Sequence, residues 1–191
     1  MKMKMYDDLE EILLTEEQLK TKVEELGAKI TADFANDPDP ILLVCILKGS
    51  VAIFADLMRQ IDHECLLDFM VVKSYEDTKS SGDVRIIKDT DNSVTGKNVI
   101  IVEDIIDSGR TLSNLKRTLE LRSPKTLKIC TLLDKPDRRL PEVTLQPDYV
   151  GFKIPDKFVV GYGLDYNQRY RTLPDIGVLK PEVYTALSTK K

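Results

Sequence analysis

Three carboxylates lie close together in the segment Val99–Leu112, VIIVEDIIDSGRTL. Glu103 and Asp104 follow a run of four aliphatic residues and mark the carboxyl end of a strand, and Asp107 precedes a Ser-Gly-Arg-Thr sequence. A glycine turn that leads into a helix points successive backbone N–H groups at one spot, and the helix dipole favours an anion there. In open α/β sheets, ligands bind beyond the carboxyl ends of the strands. The segment therefore predicts a phosphate-binding loop between a strand and a helix.

The same three carboxylates would repel a phosphate placed directly against them. A sugar removes this conflict, because its neighbouring hydroxyl groups can donate to carboxylates while the phosphate lies further along the loop. A hard cation such as Mg²⁺ also prefers oxygen ligands that are shared between the protein and substrate phosphates. We therefore expect a ribose phosphate together with a magnesium ion. The alternative is that Glu103 and Asp104 only end a strand and solvate a turn.

Apolar runs typical of strands alternate with helical patterns along the chain. The first helical pattern covers Thr15–Phe34, where Thr15 and Gln18 are expected to form a capping box. Runs without polar alternation are typical of strands covered on both faces, as in parallel sheets. The runs are Ile41–Leu47, Cys65–Val72, Val99–Val102 and Leu127–Leu133, and further helical patterns lie at Val51–Met58 and at Leu112, Leu115 and Leu119. The alternation predicts an α/β fold, with a largely parallel twisted sheet flanked by helices.

Two further segments complete the expected architecture. After Leu133, prolines separate short strands such as Phe158–Tyr162, which predicts a small irregular hood on the main core. No linker or internal repeat divides the sequence, so we expect one domain over residues 1–191. Ser74–Asp83 is a polar segment between two strand-like runs, and loops of this length often act as lids. We expect it to close over the site and exclude water.

Composition and charge exclude several classes of protein. The net charge is −4, with 28 basic and 32 acidic residues, whereas dedicated nucleic-acid-binding domains are usually basic. The longest apolar runs are far shorter than the ~20 residues that cross a bilayer. The first residues, MKMKMYDDLEE, have no apolar core, so we expect neither a signal peptide nor membrane association. A cytoplasmic protein is the resulting expectation.

The cysteines and the single histidine narrow the choice of catalytic group. Cys45, Cys65 and Cys130 are odd in number, far apart and surrounded by aliphatic residues, which is the pattern of buried, reduced thiols. His63 precedes an apolar run and is expected at the surface, at the start of a strand. A general base is therefore expected to be a carboxylate or a lysine.

The segment VEDIIDSGRT closely resembles the 5-phosphoribosyl-1-pyrophosphate (PRPP) binding motif of the type I phosphoribosyltransferases. That motif consists of hydrophobic residues, two acidic residues, two hydrophobic residues, then Asp, Ser or Thr, and Gly, with Thr nearby. Other segments resemble the hypoxanthine-guanine branch of this family: LKGS at Leu47–Ser50, Ser74-Tyr75, Lys135, and FKIPDKFVVGYGLDYNQRYR at Phe152–Arg171. The likeness extends from about Ile41 to Lys180.

The resemblance implies the fold of that family and a magnesium-dependent reaction of purine salvage. In this reaction the 5-phosphoribosyl group of PRPP is transferred to N9 of hypoxanthine or guanine, giving IMP or GMP and pyrophosphate. Asp107 matches the general base that takes the proton from N7 of the purine. The residues implied to hold the metal are Glu103, Asp104 and Asp165.

The family pattern also assigns binding roles along the chain. Leu47-Lys48-Gly49 matches the loop that binds pyrophosphate, in which the Leu-Lys peptide bond can be cis, and Ser50 stands where relatives often have a second glycine. Lys135 matches the lysine that donates to O6 of the base. The residues implied to bind substrates are Leu47, Lys48, Gly49, Ser74, Tyr75, Glu103, Asp104, Ile105, Ile106, Asp107, Ser108, Gly109, Arg110, Thr111, Lys135, Lys157, Phe158, Val159, Asp165 and Arg171.

Among these residues, Phe158 is implied to stack on the purine, Val159 to contact its edge through the backbone, and Arg171 to hold pyrophosphate. Without the family pattern, Phe158 and Val159 would be core residues of an ordinary strand, and Lys135 a solvated lysine. With Arg171, the cations Lys48, Arg110 and Lys135 are expected to form a local basic set for the anionic substrate.

Two alternatives remain at this point. One is a transferase of the same fold that prefers xanthine or guanine. The other is a PRPP-sensing regulator that retains the loop but binds DNA or RNA, against which the retained Asp107, Lys135, Phe158 and Asp165 argue. Members of the family commonly form dimers or tetramers, so the resemblance also implies a homodimer or homotetramer.

Overall fold

The computed structural model describes residues 4–74 and 84–188. The predicted lid at Ser74–Asp83 therefore lies outside the described residues, apart from the backbone of Ser74. The helices are α1 (Glu16–Phe34), α2 (Val51–Leu57), α3 (Arg110–Glu120) and α4 (Pro181–Ser188). The strands are β1 (Leu9–Leu14), β2 (Ile41–Leu47), β3 (Cys65–Ser74), β4 (Val84–Lys88), β5 (Asn98–Ile106), β6 (Thr126–Asp134), β7 (Tyr149–Lys153), β8 (Val159–Val160) and β9 (Ile176–Leu179).

The main sheet has six strands in the order β4-β3-β2-β5-β6-β7. All neighbouring pairs are parallel except β3 with β4, so the predicted, largely parallel sheet is confirmed. Every residue of the central strand β2 except Leu47 is buried, because helices cover both of its faces. Leu43 and Cys45 pack on the side of α1 and α2, whereas Leu42 and Val44 pack on the side of α3.

Helix α1 begins where the capping pattern predicts. The backbone N–H of Thr15 donates to Gln18 Oε1 at 2.9 Å, and the N–H of Gln18 donates to Thr15 Oγ1 at 3.3 Å. This capping box satisfies two N–H groups that the first helical turn leaves without partners. The predicted apolar stripe is fully buried against the sheet; it consists of Leu19, Val23, Leu26, Ile30 and Phe34.

The hood contains a second, three-stranded antiparallel sheet in the order β1-β9-β8. Leu9 of β1 pairs with Leu179 of β9, so residues from near both ends of the chain close this layer. The strand predicted at Phe158–Tyr162 is shorter than expected and extends only over Val159–Val160. The chain then leaves extended geometry, because Gly161 adopts a φ of 103°.

The predicted bounds of β5 also require correction. The strand was expected to end at Val102, before the acidic pair, but it continues to Ile106. Backbone pairing with β6 persists through Glu103 opposite Thr131 and Ile106 opposite Asp134. The carboxylates therefore project from a paired strand, which holds them more rigidly than a turn would.

The cysteines are free thiols, of which Cys45 and Cys130 are buried as predicted and Cys65 is half-buried. His63 is also half-buried, just before β3, with Nε2 at 2.9 Å from the carbonyl oxygen of Asp37. No helix within residues 4–74 and 84–188 is both long and apolar enough to span a membrane.

Candidate active site

A cavity of about 640 Å³ opens at the carboxyl edge of the main sheet. Loops that follow β2 and β5 form its floor, and the hood contributes one wall. Of the predicted site residues, those that line it are Leu47, Lys48, Gly49, Glu103, Asp104, Ile105, Ile106, Asp107, Ser108, Gly109, Thr111, Asp165 and Arg171. Four further lining residues were not predicted from the sequence: Ile46, Val72, Lys73 and Leu112.

The loop after β2 is held tightly between the acidic pair and the hood. Its Leu47–Lys48 peptide bond is cis, as the family resemblance implied. A Cβ atom built on Gly49 would lie 1.5 Å from Asp104 Oδ2, and one built on Gly163 would lie 2.0 Å from the carbonyl oxygen of Gly49. Both glycines are therefore needed for close approach of backbone and carboxylate. Ser50 is buried, and its hydroxyl donates to the carbonyl of Ile46.

The two acidic residues of β5 lie in a poorly solvated position. Burial, followed by the charge of Asp104, raises the pKa of Glu103 well above its usual range. Glu103 Oε2 is buried and has no hydrogen-bond partner within residues 4–74 and 84–188. Burial also raises the pKa of Asp104 to about 6, although the N–H of Ile105 donates to its Oδ1 at 2.7 Å. Hydroxyl donors or a cation would stabilise the charge of both groups.

The loop between β5 and α3 has the geometry of an anion site. Gly109 adopts a φ of 77° immediately before α3 and lies against Arg139, which leaves no room for a side chain. The N–H groups of the first helical turn have no partners within the helix, and they point with the helix dipole toward the cavity edge. Ser108 adds a hydroxyl whose oxygen accepts from the N–H of Arg110 at 3.4 Å.

Asp107 lies at the rim of the cavity with 47% of its side chain exposed. Arg138 Nε donates to its Oδ1 at 3.0 Å, and Arg139 donates to its carbonyl oxygen at 3.2 Å. Neither arginine was predicted from the sequence, although both follow Lys135 closely in the run DKPDRR. Arg138 keeps the carboxylate of Asp107 next to a permanent positive charge, and Arg139 holds the backbone of the same residue.

Lys135 is connected to Asp107 through charged side chains. Lys135 follows β6 directly and is only 7% exposed. It is therefore not a solvated lysine, as would be expected without the family pattern. Its Nζ lies 3.7 Å from Asp156 Oδ1, and Arg138 NH1 lies 3.7 Å from Asp156 Oδ2. These four side chains therefore form a row of alternating charge beside the cavity, in the order Asp107, Arg138, Asp156 and Lys135.

Asp165 and Arg171 form an ion pair at the hood side of the cavity. Arg171 NH2 lies 2.7 Å from Asp165 Oδ1, and Arg171 NH1 donates to the carbonyl of Gly163 at 2.7 Å. Lys48 Nζ donates to Gln168 Oε1 at 3.4 Å on the same side. Across residues 4–74 and 84–188, no group of three or more His, Cys, Asp or Glu side chains is arranged to hold a metal ion on its own.

Several predicted residues lie outside this cavity. Arg110 turns outward and pairs with Glu142 at 3.0 Å, and Lys135 does not line the cavity either. The basic residues that line it are therefore Lys48 and Arg171 of the predicted set, together with Lys73. Lys157 pairs with Glu11, and Val159 is buried in the hood sheet. Tyr75 lies outside the described residues, and Ser74 contributes the backbone at the end of β3.

Phe158 belongs to an aromatic cluster of the hood that the sequence did not predict. Its ring stacks on Tyr184 with a centroid distance of 5.1 Å and an interplanar angle of 24°. Tyr166 contacts it edge-on at 5.6 Å. Phe158 nevertheless remains 41% exposed, so one part of a large apolar ring is available to a ligand.

Comparisons with known proteins agree on one family. The model described as "Phosphoribosyl transferase domain" matches residues 10–167. The chain is 52% identical to the hypoxanthine-guanine phosphoribosyltransferase of Bacillus subtilis, over 94% of this chain and 98% of that protein. It is 50% identical to the enzyme of the same name from Staphylococcus aureus, over 95% and 99%.

Solved structures give the same result. A hypoxanthine phosphoribosyltransferase from Staphylococcus aureus superposes with a TM-score of 0.90 and 49% identity, covering 96% of this chain and 98% of that one. A hypoxanthine phosphoribosyl transferase from Trypanosoma cruzi superposes with a TM-score of 0.91 and 40% identity, covering 96% and 98%.

Proposed function

This chain belongs to the phosphoribosyltransferase family, and on that premise we propose that it transfers the 5-phosphoribosyl group of PRPP to N9 of hypoxanthine or guanine. The products are IMP or GMP and pyrophosphate, and the reaction is one of purine salvage. One observation carries the proposal: a single cavity joins the cis loop after β2, the acidic pair of β5 and the glycine loop before α3. These parts match the pyrophosphate, ribose and phosphate of one substrate.

The 5-phosphate is assigned to the loop Ser108–Thr111. Its support is the glycine turn and the N–H groups of the first turn of α3, which have no partners within the helix and favour a dianionic phosphate. The pyrophosphate group is assigned to the backbone of Leu47–Gly49, together with Lys48 and Arg171, both of which line the cavity. These positive groups offset the charge that builds on the leaving pyrophosphate.

The ribose hydroxyls are assigned to Glu103 and Asp104. Both carboxyl groups have raised pKa values because they are buried, and Glu103 Oε2 lacks a partner among the described residues. A pair of hydroxyl donors would satisfy these acceptors, and an ionised carboxylate beside the ribose would stabilise the positive character that develops on the ring.

Magnesium remains part of the proposal. The described residues hold no complete protein site for a metal, but this fits Mg²⁺, which usually binds through one or two carboxylates, water and substrate phosphates. Asp165 and Asp104 are the carboxylates proposed to share it, with Glu103 nearby. When bound, it supplies positive charge that neutralises the pyrophosphate.

The purine is assigned to the space beside Asp107, between the row of alternating charge and Phe158. The N9–C1 bond forms as the bond between C1 and the pyrophosphate oxygen breaks, and Asp107 takes the proton from N7. Lys135 donates to the 6-oxo group, which selects a carbonyl acceptor over the amino group of adenine. The exposed part of Phe158 provides the stacking surface.

A four-base assay tests the assignment. The protein is mixed with PRPP, Mg²⁺ and, in turn, hypoxanthine, guanine, xanthine or adenine, and nucleotide formation is followed by chromatography. We expect rapid formation of IMP and GMP and little AMP. Xanthine as the best substrate would establish the alternative transferase, and binding of PRPP without product from any base would indicate a regulator.

Assembly and cellular location remain proposals that rest on the family. We propose a homodimer or homotetramer in the cytoplasm. Light scattering behind size exclusion tests the first: a mass near 21.7 kDa, that of one chain, would contradict it.

A further inference from the structure

A turn at residues 161–165 touches three parts of the pyrophosphate side of the cavity. Gly163 packs so closely on Gly49 that a Cβ atom there would lie 2.0 Å from the Gly49 carbonyl oxygen. The N–H of Gly163 donates to the carbonyl of Arg171 at 3.0 Å, and Arg171 NH1 donates back to the Gly163 carbonyl at 2.7 Å. Asp165 ends the turn and pairs with Arg171. The position of this turn therefore determines where Gly49, Asp165 and Arg171 lie.

Tyr162 connects the same turn to helix α2. Its backbone N–H donates to the carbonyl of Leu173 at 2.8 Å, and its hydroxyl donates to Asp56 Oδ2 at 2.5 Å. Asp56 lies in α2, and its other oxygen pairs with Arg59 one turn later. Because α2 begins directly after the Leu47–Gly49 loop, this hydrogen bond joins the two segments that enclose the pyrophosphate subsite.

One side of Tyr162 packs against the main core. Tyr162 borders a separate cavity of about 270 Å³ between α1, α2 and the hood, which Lys20, Gln60 and Pro174 also line. The ring therefore has fewer protein contacts on the side of this cavity. Tyr162 also adopts a φ of 48°, which is uncommon for a bulky residue and is maintained only where surrounding interactions require it.

We propose that Tyr162 is a positioning residue for the pyrophosphate subsite. By its bond to Asp56 it holds the turn 161–165 against α2, so that Gly49, Asp165 and Arg171 keep one arrangement before the substrate arrives. The inference rests on the proposed function, since it names PRPP as the substrate whose binding depends on this bond. The inference does not involve the residues that are assigned to the purine.

The test is the Tyr162→Phe variant, which removes the hydroxyl and keeps the ring. We expect its KM for PRPP to rise about fivefold to tenfold, because loss of a partly buried hydrogen bond to a carboxylate costs an amount of that order. The KM for hypoxanthine should change less than twofold. Asp56→Ala removes the same bond from the other side. The two effects should not add in the double variant, because each abolishes the same interaction.

Two matched variants separate positioning from stability. Tyr149→Phe also removes a tyrosine-to-aspartate hydrogen bond, to Asp33 at 2.7 Å, but at the amino end of β7, opposite the cavity. It should lower the melting temperature without raising the KM for PRPP. Arg59→Ala removes the ion pair of Asp56 and leaves the bond to Tyr162, so it should also keep the KM of the parent protein.

Amide exchange gives a readout that does not depend on turnover. In Tyr162→Phe, the N–H groups of Gly163 and Leu164 should exchange faster than in the parent, whereas in Tyr149→Phe they should not. Unchanged exchange at both amides, or KM values for PRPP and hypoxanthine that rise together, would overturn the positioning role. A parent protein that forms no nucleotide from PRPP would instead overturn the proposed function, and the exchange rates would still decide whether Tyr162 holds the turn.

Discussion

Replacement of Gly49 by alanine should lower the activity of this protein much more than its stability. The added Cβ would lie 1.5 Å from Asp104 Oδ2 and 2.6 Å from Asp104 Cγ. To reach an ordinary contact distance of 3.4 Å, the carboxylate or the loop must move by about 2 Å. Asp104 has little freedom to move, because it is half-buried and its Oδ1 accepts from the N–H of Ile105 at 2.7 Å.

Such a displacement affects both the pyrophosphate loop and the ribose carboxylate. A misplacement of about 1 Å in a positioned site can reduce the rate by about 10²-fold, so we expect kcat/KM for PRPP in Gly49→Ala to fall by at least that factor. Forcing extra volume into a packed site costs on the order of 1–3 kcal/mol of unfolding free energy. Initial rates across PRPP concentrations and urea unfolding measure the two quantities.

Gly96→Ala is the matched control. Gly96 also requires a special backbone conformation, with a φ of 70°, but no atom lies within 4 Å of a Cβ built there. This variant should lose on the order of 1 kcal/mol of stability from backbone strain and keep the activity of the parent. A folded Gly49→Ala protein with kcat/KM within threefold of the parent would refute the argument that Gly49 and Asp104 are held in contact by the structure.

Three further predictions concern the general base, the preference among purines and the pH dependence of stability. Asp107→Asn should bind PRPP nearly normally but turn over about 10²- to 10⁴-fold more slowly, because its shape survives while the proton acceptor is lost; turnover within a few-fold of the parent across about pH 6–9 would remove this role. Lys135→Ala should lose the preference for hypoxanthine and guanine over adenine, and an unchanged ranking in the same assay would show that another group reads the 6-oxo position. The carbonyl oxygens of Asp37 and Glu64 raise the pKa of His63 above 6.5. Its stabilising contribution is therefore complete below the unfolded-state pKa and is lost as pH rises through the folded value. The advantage of the parent over His63→Asn in urea unfolding should be larger at about pH 5.5 than at about pH 8.5, and a reversed order would contradict the assignment.

Local sequence patterns predicted the elements that depend on local signals. The bounds of β2 were correct at both ends, because Asp37-Pro38-Asp39-Pro40 precedes it and Lys48-Gly49 follows it. The capping box at Thr15 was also predicted correctly, because its partner Gln18 lies only three positions along the chain. The glycine turn before α3 could be predicted, because the positive φ of Gly109 is a conformation that favours glycine.

Features that depend on distant partners could not be predicted in this way. Strands β1 and β9 were missed, because Leu9 pairs with Leu179 and neither segment carries a strand pattern strong enough to stand alone. The end of β5 was placed too early, since Glu103 and Asp104 resemble the polar end of a strand although their backbone remains paired with β6. Glu103 and Asp104 lie in a paired strand and line the cavity, so their charge is explained by the cavity and not by the packing of the sheet.

Side-chain partnerships in the candidate site were the least accessible to sequence analysis. Arg138 was visible as part of a basic pair, but only the fold brings it to Asp107, 31 positions earlier in the chain. The stack of Phe158 on Tyr184 likewise depends on how α4 returns to the hood. Arg110 shows the reverse case, because it lies within the motif and still turns outward to Glu142.

We propose that phosphoribosyl transfer takes place in the cavity at the carboxyl edge of the sheet. A crystal structure with IMP, pyrophosphate and Mg²⁺ would show whether the substrates bind there. We predict the 5′-phosphate on the N–H groups of Ser108–Thr111, pyrophosphate on Leu47–Gly49 and Arg171, and N7 of the purine within hydrogen-bonding distance of Asp107. A nucleotide bound elsewhere, or one in this cavity with its purine directed away from Asp107 and Lys135, would contradict the account.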